Sequence, residues 1–341
     1  MRIAYDVTPL SHPRTGVGNY ILGALKGMAE ASDGSHELVA FGPVSIRGRK
    51  LLDAALADLP LERKIATVPF GHAVRTAWSR LGRPPAERFL GQMDVLHFTD
   101  WMVPPGRTRI RATMIHDLGP LRYPERLHPR TVRMHTATAR AAVRCDVVFT
   151  NAEYTANDIV ERLRIPRERI RVAYPGVDAR YRPDGERHDH GSPYVFTTAT
   201  EDWRKNRGVV EAALRLRGDD LTLLALGDAG SGYVTDEQLP ALYRGAEIFA
   251  YPSRFEGFGI PIIEAMACGV PCVVSSHPSL DEACGDAAVR ADPESPEAFA
   301  EAIGRALAER EQLAARGLAH AARFDWVETG RIHLQSYADA L

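Results

Sequence analysis

Residues 254–271 read Arg-Phe-Glu-Gly-Phe-Gly-Ile-Pro-Ile-Ile-Glu-Ala-Met-Ala-Cys-Gly-Val-Pro and hold two carboxylates, Glu256 and Glu264. Gly259 and Pro261 lie between them, and a proline is typical of the first turn of a helix, where its missing N–H costs no hydrogen bond. We therefore predict a helix whose N-terminus offers its amides and the positive end of its dipole to an anion. A phosphorylated, polyhydroxylated ligand fits this arrangement, with phosphate on the amides and hydroxyls on the carboxylates. A Gly-rich turn before a buried helix, with two solvated glutamates, fits the pattern as well.

The composition is that of a globular protein large enough for two domains. The chain has 341 residues, of which 45% are hydrophobic and 25% charged. It has no run of 18 apolar residues, so no transmembrane helix is predicted. The start of the chain, Met1–Val7, is typical of a strand rather than of a signal peptide. Four cysteines without CxxC spacing predict neither a zinc site nor a disulfide framework, and they favour a reducing cytoplasm.

Charge is divided unevenly between the two halves of the chain. Residues 1–175 carry 26 Lys and Arg against 17 Asp and Glu, a net of +9, and the remainder carries 16 against 27, a net of −11. This asymmetry supports two domains. Either the first domain meets an anion or an anionic surface, or the two domains attract each other, and the sequence leaves both readings open.

Short apolar runs alternate with helical stretches, which predicts βαβ units and parallel sheets. In the first half we predict strands at 2–6, 37–41, 64–68, 95–98, 113–116, 147–150 and 170–172, and helices at 18–30, 128–144 and 153–164. In the second half we predict strands from 194 and at 221–226, 248–251, 272–275 and 287–290, with helices at 295–308 and 325–340. A stretch rich in Pro and Gly from Tyr174, followed by the polar residues 186–193, is predicted to be the linker. The fold class is therefore α/β, with two doubly wound, Rossmann-like domains that face a central cleft and bind ligands at the carboxyl ends of their strands.

Two glycines and a histidine follow predicted strands in the first half. Gly16 and Gly18 precede a helix, where the backbone can approach an anion, although the motif is neither a complete G-x-G-x-x-G nor a P-loop. His116 ends a predicted strand and can donate to a sugar hydroxyl or stabilise a developing charge. Asp117 either orients that ring or caps the following turn. An ordinary strand–helix turn and a structural histidine are the alternative interpretations.

Arg204 and Lys205 follow the strand that opens the second half. Lysine is scarce in this chain, with four residues against 38 arginines, so its retention here is informative. An adjacent Arg and Lys can clamp a diphosphate, the Arg by its planar fork and the Lys as a point charge. A solvated basic turn is the alternative.

Together these motifs resemble a retaining glycosyltransferase of family 4, with the GT-B architecture of two Rossmann-like domains. The resemblance is carried by Glu256 and Glu264, Arg204-Lys205-Asn206, His116-Asp117-Leu118 and Gly16-Val-Gly, together with stretches that begin at Thr150, Tyr174, Leu239 and Ser275. These matches follow the family order over almost the whole chain. The opening residues and the His116 motif are similar to those of the mannosyltransferase-like branch.

The resemblance implies roles for residues of the second half. Arg204 and Lys205 would bind the diphosphate of a nucleotide sugar, and Glu264 would accept hydrogen bonds from the ribose hydroxyls. Glu256 would hold hydroxyls of the donor sugar, as a positioning group rather than a nucleophile. The amides of three neighbours would assist it: Phe258, Gly259 and Ile260.

The resemblance also implies how the chain is divided. Residues 1–175 would bind the acceptor, residues 176–324 would bind the donor, and the helix at 325–341 would cross back to the first domain. His116 would contact the donor sugar from the first domain, and Gly16 and Gly18 would lie near the phosphates and the acceptor. No Asp-x-Asp motif ends a predicted strand, so we expect catalysis without a metal ion, and no cofactor besides the nucleotide diphosphate sugar as substrate.

The expected partners are a GDP- or UDP-linked sugar, with a mild preference for GDP, and a glycan, lipid-linked or small-molecule acceptor; no nucleic acid is expected. The stretch 75–89 mixes Trp78, Leu81 and Phe89 with four arginines. It lines an acceptor site, touches an anionic membrane surface, or forms a partly buried helix with a solvated basic face. The protein is expected in the cytoplasm, with peripheral contact to the inner face of the membrane as one possibility.

One segment departs from the family pattern. Residues 226–233 pass from a strand towards Tyr233 without the helix and strand that similar proteins have, near where the base binds. This departure puts the nucleotide preference and part of the second sheet in doubt. The shortened segment supports one alternative function, a non-catalytic nucleotide-sugar-binding partner of another transferase. A second alternative is a nucleotide-sugar epimerase or a phosphorylase of the same fold.

Overall fold

A computed structural model describes residues 1–13, 15–226 and 234–341. The chain divides into two compact units, the first formed by Met1–Gly176 and Trp326–Leu341 and the second by Val177–Asp325. The predicted boundaries, after residues 175 and 324, each lie one residue from these limits. Of the shortened segment at 226–233, all but Leu226 lies outside the described residues.

The first unit is built on a parallel sheet. In its described part the sheet has seven strands: β1 (Arg2–Asp6), β2 (Glu37–Val44), β3 (Glu62–Thr67), β4 (Val95–Phe98), β5 (Ile110–Met114), β6 (Val147–Thr150) and β7 (Ile170–Val172). The strand order is β3-β2-β1-β4-β5-β6-β7. β4 and β6 are buried along their whole length, which explains why they are apolar without alternation. The order reverses between β1 and β4, and ligands of such sheets bind beside this point, at the carboxyl ends of the strands.

Helices connect these strands on both faces of the sheet. They are α1 (Gly16–Ala31), α2 (Ile46–Ala55), α3 (Gly71–Leu81), α4 (Glu87–Leu90), α5 (Gly119–Arg122), α6 (Pro129–Ala142) and α7 (Glu153–Leu163). The hydroxyl of Thr15 caps α1 by accepting from the amide of Gly18 at 3.4 Å. α1 begins at Gly16, two residues before the predicted start at residue 18, so both glycines of the predicted motif lie in its first turn.

The second unit is a smaller parallel α/β domain. Its described strands are β8 (Tyr194–Thr197), β9 (Thr222–Ala225), β10 (Ile248–Tyr251), β11 (Cys272–Ser275) and β12 (Ala288–Ala291), in the order β12-β11-β10-β8-β9. Its helices are α8 (Arg207–Arg217), α9 (Leu239–Gly245), α10 (Ile260–Ala267), α11 (Asp281–Cys284), α12 (Pro296–Ala308) and α13 (Arg310–Ala321). The predicted α/β class with two Rossmann-like domains is confirmed.

The last helix, α14 (Trp326–Ala340), belongs to the first unit and packs against α1. Its close approach is made possible by glycines. A Cβ atom at Gly27 would overlap the carbonyl oxygen of Trp326, and a Cβ atom at Gly330 would overlap the backbone of Gly27. Gly23 and Gly27 lie one turn apart on one face of α1, so the two helices meet backbone to backbone along this stripe.

Two sequence predictions are wrong in detail. The strand predicted at 113–116 ends at Met114; the amide of Ile115 makes the last contact with the sheet, to the Phe149 carbonyl at 2.9 Å, so His116 lies in the following loop. The residues predicted as a linker at 186–193 belong to the second unit, because Arg244 donates to the Glu186 carbonyl at 2.7 Å. In the described ranges, no helix is long and apolar enough to cross a membrane.

Candidate functional site

The loops that follow β8 and β10 carry the polar residues predicted for the second unit. β8 and β10 are neighbours in the sheet, so their carboxyl ends lie side by side. The loop after β8 contains Arg204 and Lys205, and the loop after β10 contains Glu256 and leads into α10. The fold thereby brings together residues that are about fifty positions apart in sequence.

Glu256 is buried and pairs with both cations. One carboxylate oxygen accepts from Lys205 Nζ at 2.7 Å, and the other accepts from Arg204 Nη1 at 3.0 Å. The side chain of Glu256 is 8% exposed, whereas those of Lys205 and Arg204 are 21% and 37% exposed. The carboxylate thus lies beneath the two cations and fixes their positions from the protein side.

The electrostatics keep Glu256 and Lys205 ionised. Burial alone would raise the pKa of Glu256, but the charges of Lys205 and Arg204 outweigh it and hold that pKa below its usual value. Burial works to lower the pKa of Lys205, but Tyr251 and Glu256 raise it. Lys205 also donates to the Tyr251 hydroxyl at 3.2 Å. An ammonium group has three N–H bonds, so one of them has no partner in the part of the chain that the structure describes.

Asp202 shapes the loop that presents the two cations. One oxygen of Asp202 accepts from the backbone amides of Arg204 at 2.9 Å and Lys205 at 3.1 Å, and Thr200 donates to the other oxygen at 2.7 Å. Asn206 then adopts a left-handed conformation with φ 56°. Its side-chain amide donates to the Pro252 carbonyl at 3.2 Å, which ties the two strand-end loops together. Asp202 was not predicted from the sequence, although an Asp commonly accepts from the backbone amide two residues further on in a turn.

The start of α10 supplies backbone amides beside this cluster. Gly259 precedes the helix at φ 104°, a conformation that favours glycine, and a Cβ atom there would lie 3.0 Å from Ile262. Among the described residues, the amides of Gly259 and Ile260 donate no hydrogen bond. Phe258 is buried, with its ring 5.4 Å from that of Phe324. The predicted helix terminus is therefore present, and its free amides and dipole favour an anion.

Glu264 lies one turn into α10 in a different environment. Its carboxyl is buried, it accepts from the Tyr243 hydroxyl at 3.0 Å, and Tyr181 is a second hydrogen-bonding partner. Burial is the main cause that raises the pKa of Glu264, to about 7, and neither tyrosine carries a compensating positive charge. The two carboxylates therefore differ, because Glu256 faces cations and Glu264 faces hydroxyl groups. Neither tyrosine was predicted from the sequence to be a partner of Glu264.

His116, Gly16 and Gly18 lie in the first unit. His116 lines a small cavity of about 70 Å³ together with Val17, which stands between the two glycines at the start of α1. In the described part of the chain, its Nε2 atom has no hydrogen-bond partner. Burial and then the charge of His135 lower the pKa of His116 to about 4, so the ring is neutral at neutral pH. Asp117 accepts from the Gly119 amide at 2.7 Å and thus caps the following turn.

The structure therefore groups the predicted residues into two sets. Arg204, Lys205 and Glu256 form one contact cluster beside the α10 terminus, with Glu264 in the same helix, while His116, Gly16 and Gly18 form the set in the first unit. Across the described residues, no group of three or more His, Cys, Asp or Glu side chains is arranged to hold a metal ion. Metal independence stays a prediction.

Replacing Glu264 with Gln is expected to change how stability depends on pH. The pKa of Glu264 rises from 4.5 to about 7 on folding, so the stability linked to its protonated form is complete below pH 4.5 and is lost as the pH rises through 7. The free energy of unfolding of Glu264→Gln, relative to the unsubstituted protein, should therefore increase by about 3 kcal/mol between pH 4.5 and pH 8.5. Denaturant unfolding of both proteins across this range measures the effect. A difference that does not vary with pH would contradict the account.

Family models match both halves of the chain. The model described as "Glycosyltransferase Family 4" matches residues 14–181, and the model described as "Glycosyl transferases group 1" matches residues 231–321. The chain is 30% identical to O-antigen chain mannosyltransferase B of Escherichia coli, over 96% of this chain and 96% of that protein. It is also 30% identical to a D-inositol 3-phosphate glycosyltransferase of Salinispora tropica, over 58% of this chain and 51% of that protein.

Solved structures of low sequence identity share the fold. A glycosyltransferase from Rickettsia africae superposes with a TM-score of 0.71 at 14% identity, covering 99% of this chain and 98% of that one. HepE from Anabaena, solved in complex with UDP and glucose, superposes with a TM-score of 0.69 at 16% identity. The alignment covers 99% of this chain and 100% of that one. The predicted GT-B fold is confirmed. With the relative from E. coli aligned over nearly its whole length, the chain belongs to glycosyltransferase family 4.

Proposed function

We propose that this glycosyltransferase is a retaining hexosyltransferase that uses a nucleotide diphosphate sugar and needs no metal ion. It moves a mannose- or glucose-type sugar to a hydroxyl group of a glycan, lipid-linked or small-molecule acceptor. The observation that carries this proposal is the cluster of Arg204 and Lys205 on buried Glu256, beside the N-terminus of α10. Two cations and one carboxylate leave a net positive charge where a diphosphate can be bound.

Each residue of the cluster has a proposed role. Arg204 and Lys205 bind the diphosphate, and the α10 terminus supports them with its amides and dipole. Glu256 holds the cations in place and accepts from hydroxyls of the donor sugar. Glu264 accepts from the ribose hydroxyls, for which its polar environment of tyrosine hydroxyls is suited. His116 contacts the donor sugar as a neutral imidazole.

In the proposed step, the bond between the anomeric carbon and the diphosphate oxygen breaks, and its electron pair goes to the leaving diphosphate. The acceptor oxygen bonds to the anomeric carbon on the same face, and its proton passes to an oxygen of the leaving phosphate. Negative charge develops on the diphosphate, where the fixed cations and the helix terminus stabilise it without rearrangement. Glu256 takes no covalent part.

We propose that the base of the nucleotide sugar is guanine, with uracil as the alternative. The E. coli relative is named a mannosyltransferase, and the sequence is similar to the mannosyltransferase-like branch, which favours a GDP-linked sugar. The HepE structures contain UDP, UDP-glucose or UDP with glucose, which supports uracil as the alternative. The name of the E. coli relative, an O-antigen chain mannosyltransferase, also supports polysaccharide assembly as the process in which this protein acts.

The proposed location is the cytoplasm, where peripheral contact of the basic first unit with the inner face of the membrane is compatible with a lipid-linked acceptor. The four cysteines, at positions 145, 268, 272 and 284, are all buried and unpaired. Free thiols suit a reducing compartment.

Calorimetric titration with GDP, UDP and ADP and their diphosphosugars, in buffer with EDTA, tests the proposal. We expect one base to bind with a Kd on the order of micromolar in the absence of metal, because the protein supplies its own cations. Binding that appears only when a divalent metal is added would overturn the metal-independent proposal. No binding to any of them would favour a different function for the cluster.

The substitution Lys205→Ala should lower the rate of transfer on the order of 100-fold or more, which is the scale of one preorganised transition-state contact. The matched control is Lys50→Ala, the same substitution at an exposed lysine in α2. Initial rates with the donor identified by calorimetry measure the effect, and circular dichroism shows whether each variant is folded. Transfer at nearly the unsubstituted rate in a folded Lys205→Ala variant would remove this residue from the site.

A further inference from the structure

A large groove in the first unit has no role in the donor site described above. It has a volume of about 740 Å³ and is lined by residues of α3 and α6, together with Met102 and Val103. Three alanines, Ala73 and Ala77 on α3 and Ala137 on α6, are exposed and line it. Small side chains on these facing helices keep the groove open and apolar, and its volume is that of a site for a drug-sized ligand.

Arginines line the same groove. Arg80 on α3 and Arg130 and Arg133 on α6 contribute to its lining. In the described ranges, none of these three guanidinium groups has a hydrogen-bond or ion-pair partner. The single acidic side chain among the lining residues is Asp100, as far as the structure describes them. The groove therefore combines apolar walls with unpaired positive charge, which is complementary to an apolar molecule that carries a phosphate.

Asp100 connects the groove to the predicted catalytic histidine. Asp100 and Thr138 line both the groove and the small cavity that contains His116. One oxygen of Asp100 lies 3.6 Å from His135 Nδ1, and the other is buried without a hydrogen-bond partner among the described residues. A carboxylate oxygen in this state is an acceptor for a hydroxyl group.

We propose that this groove binds the body of an amphipathic acceptor, an apolar stem joined through a phosphate group to a sugar. The stem lies on the alanine and methionine side chains, the phosphate is bound by the arginines, and Asp100 accepts from a hydroxyl of the sugar. The assignment of the occupant as acceptor rests on the proposed transfer reaction. An anionic lipid headgroup with its acyl chains, in a membrane, has the same chemistry. The experiment described next distinguishes a membrane surface from a single acceptor molecule.

Octyl phosphate tests the groove without knowledge of the natural acceptor. Trp101 lines the groove, so its fluorescence should report binding, and Trp101→Phe should remove the signal. We expect octyl phosphate to bind at least about 10-fold more tightly than either octanol or inorganic phosphate, because neither of these carries both the stem and the charge.

Two variants separate the contributions of the walls and the charges. Ala77→Phe fills the groove from an exposed position, and Arg133→Glu reverses one of its charges. Each should weaken octyl phosphate binding about 10-fold or more. The control Arg140→Glu makes the same charge reversal on α6 outside the groove and should have no effect. Asp100→Ala removes the acceptor oxygens, so it should weaken the binding of octyl α-mannopyranoside but not that of octyl phosphate. Unchanged binding of octyl α-mannopyranoside would show that Asp100 does not hold the sugar.

Three results would overturn the proposal. These are equal binding of octanol and octyl phosphate, binding unaffected by Ala77→Phe and Arg133→Glu, and adsorption to vesicles of anionic phospholipid without binding of octyl phosphate. The last would identify a membrane-contact surface instead.

Nucleoside diphosphate binding is measured on the same samples. If it is retained while the groove fails these tests, the proposed donor function stands and only the acceptor inference is lost; if it is absent, the proposed function fails independently of the groove.

Discussion

The contact of one buried carboxylate with two cations determines how the second unit is organised around its sheet. Glu256 would be costly to bury alone, because removing an ion from water costs several kcal/mol even after the protein relaxes. Lys205 and Arg204 offset this cost by pairing with both of its oxygens. They can do so only because the loops after β8 and β10 meet, and Asp202 and Asn206 hold those loops in place. The ion pairing and the loop geometry therefore depend on each other.

The cluster also has a consequence for ligands. Glu256 neutralises one of the two positive charges, and the remaining charge lies beside a helix N-terminus at which the amides of Gly259 and Ile260 have no acceptor among the described residues. Glu264 lies only eight positions further on, and there burial raises the pKa to about 7, because the tyrosine hydroxyls and the more distant charge of Arg180 offset burial only in part. The loop before α10 and the first turns of α10 thus present two carboxylates with different properties, which suits a ligand that contains both a diphosphate and sugar hydroxyls. The first unit contains a neutral histidine and an open groove, which share Asp100 and Thr138 in the linings of their cavities.

Much of the fold was predictable because parallel strands are buried on both faces and therefore stand out as short apolar runs. Six strands were predicted at their observed bounds: β1, β4, β6, β7, β10 and β11. The end of β5 was predicted wrongly, since Ile115 continues the apolar run although the backbone leaves the sheet after Met114. The glycines of α1 were interpreted as a ligand motif, whereas Gly27, which was not singled out, makes the packing of α14 possible. The role of the segment 226–233 in base binding stays a prediction.

The site was predictable in its members but not in its contacts. Residue types and their position after strands pointed to Arg204, Lys205, Glu256 and Glu264, yet the direct pairing of Glu256 with both cations depends on the order of β8 and β10 in the sheet. Tyr181 and Tyr243 are too far from Glu264 in sequence to be assigned as its partners. Asp100 was missed because a single aspartate after a strand carries no pattern; only the two cavities that meet at it identify it.

The most direct test of the central claim, that Arg204 and Lys205 bind a diphosphate, is to compare how Lys205→Ala affects the binding of a nucleoside, its monophosphate and its diphosphate. Isothermal titration with the preferred base supplies the three affinities. We expect a loss of about 10-fold or more for the diphosphate, a smaller loss for the monophosphate and none for the nucleoside, because a charged hydrogen bond is lost only where phosphate is present. An equal loss for all three ligands would contradict it, since Lys205 would then support the fold of the pocket rather than bind phosphate.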